Sequence, residues 1–245
     1  MINRLISILF LIFIGLTSAV FFVVALLIWL LTVFLDRRLV LLHLFSSFWA
    51  SVYLWLMPAW SVHVEGRRKP AWRRHFVIVS NHQSQLDILV AFRLFIPFKW
   101  VSKAEVFNLP FIGWNMRLNR YIKLKRGDKA GIARMFADCE KALSRGNSIF
   151  MFPEGTRSKT GDIKGFRPGA FILAKKMGVP ILPVAISGTH AALPKYSLNF
   201  HGRQHMYIRV LDPIFPEQFA DLSIEALSDE VRWTIAAALE KLPTA

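Results

Sequence analysis

Residues 75–87 read HFVIVSNHQSQLD, so a short apolar run is followed at once by a polar loop. Residues 75–80 predict a buried β-strand, and residues 86–94 predict a helix after the loop. Residues 148–158, SIFMFPEGTRS, repeat the arrangement, because the predicted strand 148–152 runs directly into a polar turn. An α/β sheet places ligands outside the carboxyl ends of its strands, so we expect both loops to converge on one edge of a sheet.

The rest of the chain alternates between strand-like and helix-like stretches. Residues 128–145 carry apolar side chains at helical spacing, opened by Asp128 and closed by Gly146. Further strands are predicted at 98–101, 119–124, 181–186 and 206–211, and further helices at 168–177 and 222–242. This alternation predicts an α/β fold in which helices cover a mixed sheet.

The composition limits the classes of function. The chain has 245 residues, 54% of them hydrophobic and 19% charged, which suits a packed core and excludes a disordered tail. A net charge of +15 favours a polyanionic partner such as nucleic acid, anionic lipid or a phosphorylated substrate. The single cysteine, Cys139, excludes a disulfide framework and a zinc site built mainly on thiolates. No metal site is predicted, since the histidines outside the first loop lack paired spacing.

The first 62 residues are strongly apolar. No charged side chain lies between Arg4 and Asp36, and residues 39–62 carry only His43 as a possible charge. Because about 20 apolar residues cross a hydrocarbon core, we interpret residues 1–62 as a membrane-embedded helical hairpin and 63–245 as the main domain. A cleaved signal peptide is the alternative, although the apolar run continues well past Ala19. The sequence leaves open whether the hairpin crosses the bilayer or lies in one leaflet.

A basic cluster follows the second apolar stretch. Its members are Arg67, Arg68, Lys69, Arg73 and Arg74. Such clusters beside a membrane segment favour the cytoplasmic face and contact anionic headgroups. We therefore expect a protein of the inner (cytoplasmic) membrane, with its main domain on the cytoplasmic side.

The first loop contains a possible general base. In a continuous helix His82 and Asp87 would lie about 140° apart around the axis, so they can meet only if His82 precedes the helix. An Asp bonded to one imidazole nitrogen fixes the tautomer and raises the basicity of the other nitrogen. The pair would then suit proton abstraction from an alcohol. The alternative is a histidine that caps the helix beside an aspartate that faces solvent.

The second loop has the features of an anion site. Pro153 and Gly155 permit a tight turn that exposes backbone N–H groups, and the planar guanidinium of Arg157 suits a phosphate or carboxylate. The alternative is an ordinary turn in which Glu154 and Arg157 pair with each other.

Four blocks together resemble the glycerolipid acyltransferases, in particular those that act on 1-acyl-sn-glycerol-3-phosphate (lysophosphatidic acid). The blocks are a His-x4-Asp motif at 81–87, a short motif ending in Arg at 120–126, Glu-Gly-Thr-Arg at 154–157, and Val-Pro-Ile-x-Pro-Val at 179–184. A Lys-x-Glu block is matched at 103–105, and the resemblance covers about residues 60 to 215. Arg120 and Lys123 depart from the family pattern, so only Arg126 is carried over from the second block.

The resemblance implies the glycerolipid acyltransferase fold and the transfer of a fatty acyl group to the free hydroxyl of lysophosphatidic acid, giving phosphatidic acid. It implies acyl-CoA or acyl carrier protein as donor, His82 as general base and Asp87 as the residue that orients it. The implied substrate-binding residues are Lys103, Arg126, Glu154, Gly155, Thr156 and Arg157. It also implies an acyl or donor pocket at Val179, Pro180, Ile181 and Pro183, for which a core strand bracketed by prolines is the alternative.

The chemistry fits such a transfer without a cofactor. A thioester is already activated, so direct attack by the hydroxyl requires neither a covalent intermediate nor Cys139. We expect the lysophospholipid, the acyl thioester and membrane lipids as partners, and no nucleic acid. Two alternatives remain, namely an acyltransferase for another lysolipid such as a lyso-ornithine lipid, and a membrane-tethered module that binds polyanions without chemistry.

Overall fold

The computed structural model describes residues 2–67, 74–197, 200 and 202–243. Its strands form one sheet in the order β1-β7-β6-β2-β5-β3-β4. The strands are β1 Trp60–Glu65, β2 Val77–Ser80, β3 Phe98–Lys103, β4 Ile122–Leu124, β5 Ser148–Met151, β6 Ile181–Ser187 and β7 Gln204–Val210. Neighbours are parallel except β6 and β7, which pair antiparallel. The predicted mixed sheet is confirmed.

Helices cover both faces of this sheet. They are α1 Ile2–Thr32, α2 Val40–Trp55, α3 Leu86–Phe92, α4 Ile112–Leu118, α5 Lys129–Ser144, α6 Gly169–Met177, α7 Thr189–Ala192, α8 Pro216–Phe219 and α9 Ile224–Glu240. One core joins α2 and α3 to the face of Ile78 and Phe150, and a second joins α5, α6 and α9 to the face of Val77 and Ile149. The predicted strands and helices of the main domain are all present, with ends shifted by up to three residues.

The N-terminal region forms the two predicted helices, which pack on each other, but its second helix and the strand after it are part of the main domain. Strand β1 pairs with β7 in the sheet, so the predicted domain boundary at residue 62 falls inside a strand. Helix α2 is packed into the domain, and its Ala50 and Leu54 belong to the same core as β2. Its serines also face inward, where Ser46 Oγ accepts bonds from the amides of Asn115 and Asn119 at 3.0 and 3.1 Å. Residues 36–65 therefore belong to the domain, because their apolar side chains form its core.

Helix α1 is the part that keeps an open apolar surface. It packs on α2 and α4 along one side, where Thr17 bonds the Tyr53 hydroxyl at 3.1 Å, Ala25 is buried and Phe22 contacts Trp114. The helix over Arg4–Thr32 is long and apolar enough to cross a membrane, and only 11% of its most apolar 18-residue stretch is buried. Signal sequences share that length and composition, whereas a core helix would be mostly buried. The exposed side chains include Leu5, Leu9, Ile12, Leu16, Val20, Val23, Leu27 and Leu31.

The basic cluster after β1 is only partly within the described residues. Arg68, Lys69 and Arg73 lie outside them. Arg67 donates to the Leu94 carbonyl at 2.8 Å, and the Arg74 guanidinium lies over the Phe215 ring.

Candidate active site

The two polar loops lie side by side at one edge of the sheet. Strands β2 and β5 are parallel neighbours, so their carboxyl ends place residues 81–87 next to residues 152–158. The Ser158 N–H donates to the His82 carbonyl at 2.7 Å. The His82 ring stacks on Phe152 with 4.0 Å between ring centroids and 12° between planes. The edge expected from the sequence is where the structure brings the loops together.

His82 and Asp87 form a hydrogen-bonded pair. Residue 82 precedes α3 and Asp87 lies in its first turn, and this arrangement puts His82 Nδ1 2.8 Å from Asp87 Oδ2. Asp87 is fully buried, and the same oxygen accepts the N–H groups of Gln83 at 2.6 Å and Ser84 at 2.9 Å. The His82 side chain is 15% exposed, and its Nε2 has no hydrogen-bond partner among the described residues. With Nδ1–H given to the carboxylate, Nε2 is left as a proton acceptor facing outward.

The first loop is fixed from three sides. The Asn81 side chain both donates to and accepts from the backbone of Ile186, at 2.8 and 2.9 Å. Ser84 Oγ donates to the Leu193 carbonyl at 2.6 Å, and the Gln83 amide donates to the carbonyl of residue 161 at 3.0 Å. These bonds hold the imidazole without relying on the substrate.

Glu154 joins the two loops. Its Oε1 accepts the backbone N–H of His82 at 2.7 Å, and the side chain is 5% exposed. Burial raises the pKa of Glu154 to about 7, an effect partly offset by the N–H groups of His82 and Lys164. No ion pair joins Glu154 to Arg157 in the described part of the chain. The alternative of a simple paired turn is therefore wrong, and Glu154 supports His82 rather than Arg157.

Two further cationic side chains contact the second loop, and neither of them was predicted from the sequence. Gly155 has φ of +70°, and a Cβ there would come within 2.7 Å of Arg167 Nε, so the guanidinium of Arg167 lies against the loop. Lys195 Nζ donates to Thr156 Oγ1 at 3.2 Å and to the Arg157 carbonyl at 2.9 Å. No spacing pattern links these two residues to residues 154–157, since tertiary contacts alone bring them there.

Several cations at this edge lack a counter-ion. Arg126, Arg157 and Arg167 have no hydrogen bond or ion pair from their side chains within the described ranges. Burial and the positive charge of Arg167 lower the pKa of Arg126, and the negative charge of Glu105 partly offsets them without forming an ion pair. Lys103 ends β3, beside β4, and therefore also lies at the carboxyl edge of the sheet. Such unpaired cations are suited to an anionic ligand.

The predicted acyl pocket at 179–184 is core. Val179 is 4% exposed and Ile181 is fully buried, and both pack among α5, α6 and α9. They lie at the amino end of β6, which is parallel to β2, so they are at the opposite edge of the sheet from His82. Pro180 accepts the Val77 N–H at 3.0 Å, and Pro183 is paired with Val79 in the sheet. These residues are apolar because they form a buried strand, which agrees with the alternative of a core strand bracketed by prolines.

An apolar cavity lies elsewhere, beside the start of α3. It has a volume of about 230 Å³, lies between α1, α2, β1 and α3, and is partly open to solvent. Its lining includes Phe10, Ile14, Tyr53, Trp60, Leu86 and Leu193. Leu86 directly precedes Asp87, and Leu193 is tied to Ser84, so the cavity adjoins the loop that carries His82.

Among the residues that the structure describes, neither a thiol nor a metal cluster accompanies the pair. Cys139 lies on the buried face of α5, and burial raises the pKa of its thiol. Within the described ranges, no three His, Cys, Asp or Glu side chains converge as metal ligands would.

Comparison with known proteins places this site in a family. The sequence model of the acyltransferase family matches residues 61–187, which is just over half of the chain. The chain belongs to the acyltransferase family. This confirms the family inferred from the sequence blocks, and the matched segment contains both loops and the Asn81–Ile186 tie.

Two relatives are named as 1-acyl-sn-glycerol-3-phosphate acyltransferases. The chain is 34% identical over 199 residues to the chloroplastic 1-acyl-sn-glycerol-3-phosphate acyltransferase LPAT1 of Arabidopsis thaliana, covering 81% of this chain and 54% of that protein. It is 32% identical over 192 residues to the 1-acyl-sn-glycerol-3-phosphate acyltransferase of Saccharomyces cerevisiae, covering 76% of this chain and 62% of that protein. The chain thus spans about half the length of the plant acyltransferase it matches.

A solved acyltransferase has the same fold. The crystal structure of the 1-acyl-sn-glycerophosphate (LPA) acyltransferase PlsC from Thermotoga maritima superposes with a TM-score of 0.78 at 25% sequence identity. The match covers 98% of this chain and 97% of that one. The predicted acyltransferase fold is confirmed over nearly the whole chain.

Proposed function

We propose that the protein transfers a fatty acyl group from a thioester to the free hydroxyl of lysophosphatidic acid, with His82 as the general base. The observation that carries this proposal is the His82 ring, held by Asp87 on one side with Nε2 left open on the other. Family membership and the names of the relatives support the substrate class.

The proposed step is direct. Nε2 of His82 takes the proton of the acceptor hydroxyl while its oxygen attacks the thioester carbonyl carbon. The tetrahedral intermediate collapses, the carbon–sulfur bond breaks, and the leaving thiolate receives the proton from the imidazolium. Acyl-CoA or acyl carrier protein serves as co-substrate, and no resident cofactor takes part. The buried thiol of Cys139 has no role in this scheme.

The unpaired cations give a place for the acceptor phosphate. We assign the phosphate to Arg157 with Arg126 and Lys103, because bidentate guanidinium groups suit phosphate oxygens and these side chains form no hydrogen bond or ion pair within the described chain. Arg167 adds positive charge at the same place, beside Gly155. The apolar cavity next to Leu86 supplies a place for an acyl chain close to His82.

The open face of α1 supports a position at the membrane. Its outer side chains are apolar, and the exposed Trp114 and Ile112 of the adjacent α4 extend that surface. Because α1 packs on the domain along its length, we propose that it lies in the leaflet that the domain faces. The basic residues Arg67 and Arg74 favour the cytoplasmic side of the inner membrane.

The test uses the purified protein with acyl-CoA or acyl carrier protein thioester and a panel of acceptors in detergent. The panel contains lysophosphatidic acid, a lysophospholipid with a larger headgroup, a lyso-ornithine lipid and monoacylglycerol. We expect thiol release with lysophosphatidic acid and poor turnover with monoacylglycerol, which lacks the phosphate. A preference for lyso-ornithine lipid would change the acceptor, and binding of DNA or RNA without any acyl transfer would refute the enzyme assignment.

A further inference from the structure

Thr189 bonds the side of Asp87 that His82 does not use. It is fully buried, and its Oγ1 donates to Asp87 Oδ1 at 2.5 Å. It lies five residues beyond the last sequence block, at 179–184, so no motif pointed to it. The bond joins residues 102 positions apart.

The backbone before Thr189 is shaped to place this hydroxyl. The bonds between Asn81 and Ile186 fix the end of β6 against the first loop. Gly188 then takes φ of +82°, and a Cβ on it would come within 2.1 Å of the His205 carbonyl oxygen. Only glycine fits there. The chain therefore turns directly from β6 into Thr189, the first residue of α7.

We propose that Thr189 is a positioning residue for the acyl transfer, acting by fixing the carboxylate plane of Asp87. This inference rests on the proposed role of His82 as base. The torsion that rotates a carboxylate is broad and roughly two-fold, so bonds to one oxygen restrain its plane only in part. Oδ2 already takes His82 Nδ1 and two backbone N–H groups, and the Thr189 hydroxyl holds Oδ1. A fixed plane keeps Oδ2 aimed at Nδ1, and hence Nε2 aimed at the substrate.

The first experiment compares Thr189→Val with Thr189→Ser in the full chain. Valine keeps the shape and removes the hydroxyl, whereas serine keeps the hydroxyl. A hydrogen bond to a charged group is commonly strong enough for a loss of about 10- to 100-fold in kcat in the valine variant. We expect the acceptor and donor KM to be unchanged and serine to restore most of the rate. Thr234→Val, which removes a hydroxyl bond to the Glu230 carbonyl on α9, is the matched control and should keep full activity.

The second experiment asks whether the effect passes through Asp87. Thr189→Val is combined with Asp87→Asn, which already removes the charge that Thr189 orients. If Thr189 acts through Asp87, the second change should cost little more once Asp87 is altered. Full, independent losses from both changes would overturn the inference, as would wild-type kcat in folded Thr189→Val.

A third measurement does not depend on turnover. The Nδ1 proton of His82, donated to a buried carboxylate, should give a low-field proton resonance that is absent from His82→Ala. We expect Thr189→Val to shift or broaden it and Thr189→Ser to retain it. An unchanged resonance in Thr189→Val would refute the positioning role. Absence of acyl transfer by the wild type would refute the proposed function, while this resonance would still decide whether Thr189 orients Asp87.

Discussion

Replacing Asp87 with asparagine removes the charge behind His82 while nearly preserving the shape of the site. The Asp87 carboxylate is fully buried and accepts four hydrogen bonds, three at Oδ2 and one, from Thr189, at Oδ1. An asparagine can keep its oxygen toward the three donors and turn its NH2 group toward the Thr189 hydroxyl, which can accept as well as donate. The variant should therefore fold.

The expected loss of rate follows from those bonds. Without the carboxylate, the imidazolium formed during proton transfer is no longer stabilised. General-base catalysis commonly contributes about 10²- to 10⁴-fold, so we expect kcat to fall by about 10³-fold. The free energy of unfolding should change by less than the activation free energy. Each hydrogen bond to residue 87 loses about 1 kcal/mol of charge assistance, but the cost of burying the carboxylate is also removed.

The assay measures initial thiol release with acyl-CoA and lysophosphatidic acid, together with urea unfolding of each variant. Asp138→Asn on the exposed side of α5 is the matched control, and it should retain wild-type turnover. Turnover of folded Asp87→Asn within about twofold of wild type would refute the assignment of His82 as a base oriented by Asp87, since about 10²-fold is the least expected.

Four other outcomes are expected. Burial raises the pKa of Glu154 from 4.5 to about 7, so between these pH values the folded protein keeps a proton that the unfolded chain has lost. The free energy of unfolding of the wild type should therefore fall as pH rises through this range. Glu154→Gln should remove this contribution to the pH dependence of the melting temperature. Cys139→Ala should transfer acyl groups at nearly the wild-type rate, and an acyl group trapped on Cys139 in intact mass spectra would contradict direct transfer. Arg157→Lys should raise the acceptor KM about tenfold through loss of the planar fork, and a rise in the donor KM alone would assign Arg157 to the donor. Leu16→Asp on the open face of α1 should weaken vesicle binding by about 100-fold. The turnover of water-soluble short-chain acceptors should stay the same, and unchanged vesicle binding would place α1 outside the membrane.

The strands of the main domain were predictable because they are short, apolar and bounded by polar loops. Residues 36–65 were not, since apolar side chains serve a membrane segment and a protein core equally well. Trp60 continues the apolar run of α2 with little interruption, so nothing local marks the start of β1. The serines of α2 do not distinguish the two cases, because each also donates to a carbonyl one turn earlier in the same helix, and only the structure shows that Ser46 accepts bonds from Asn115 and Asn119.

At the site, the residues that act within one loop could be predicted from the sequence. His82 and Asp87 are close in sequence, and their spacing already required a loop before the helix. Glu154 was found, but its partner was not, because the His82 N–H comes from another strand end. Thr189 and Lys195 were missed for the same reason, since tertiary packing alone brings them to these loops.

The role of His82 as general base is tested most directly by comparing acyl transfer by wild-type protein and His82→Ala, matched for folded amount, on lysophosphatidic acid in vesicles. The products to be counted are phosphatidic acid and free thiol. We expect one phosphatidic acid for each thiol released by the wild type, and a loss of about 10²- to 10⁴-fold in the variant. Turnover by His82→Ala equal to that of the wild type would contradict it.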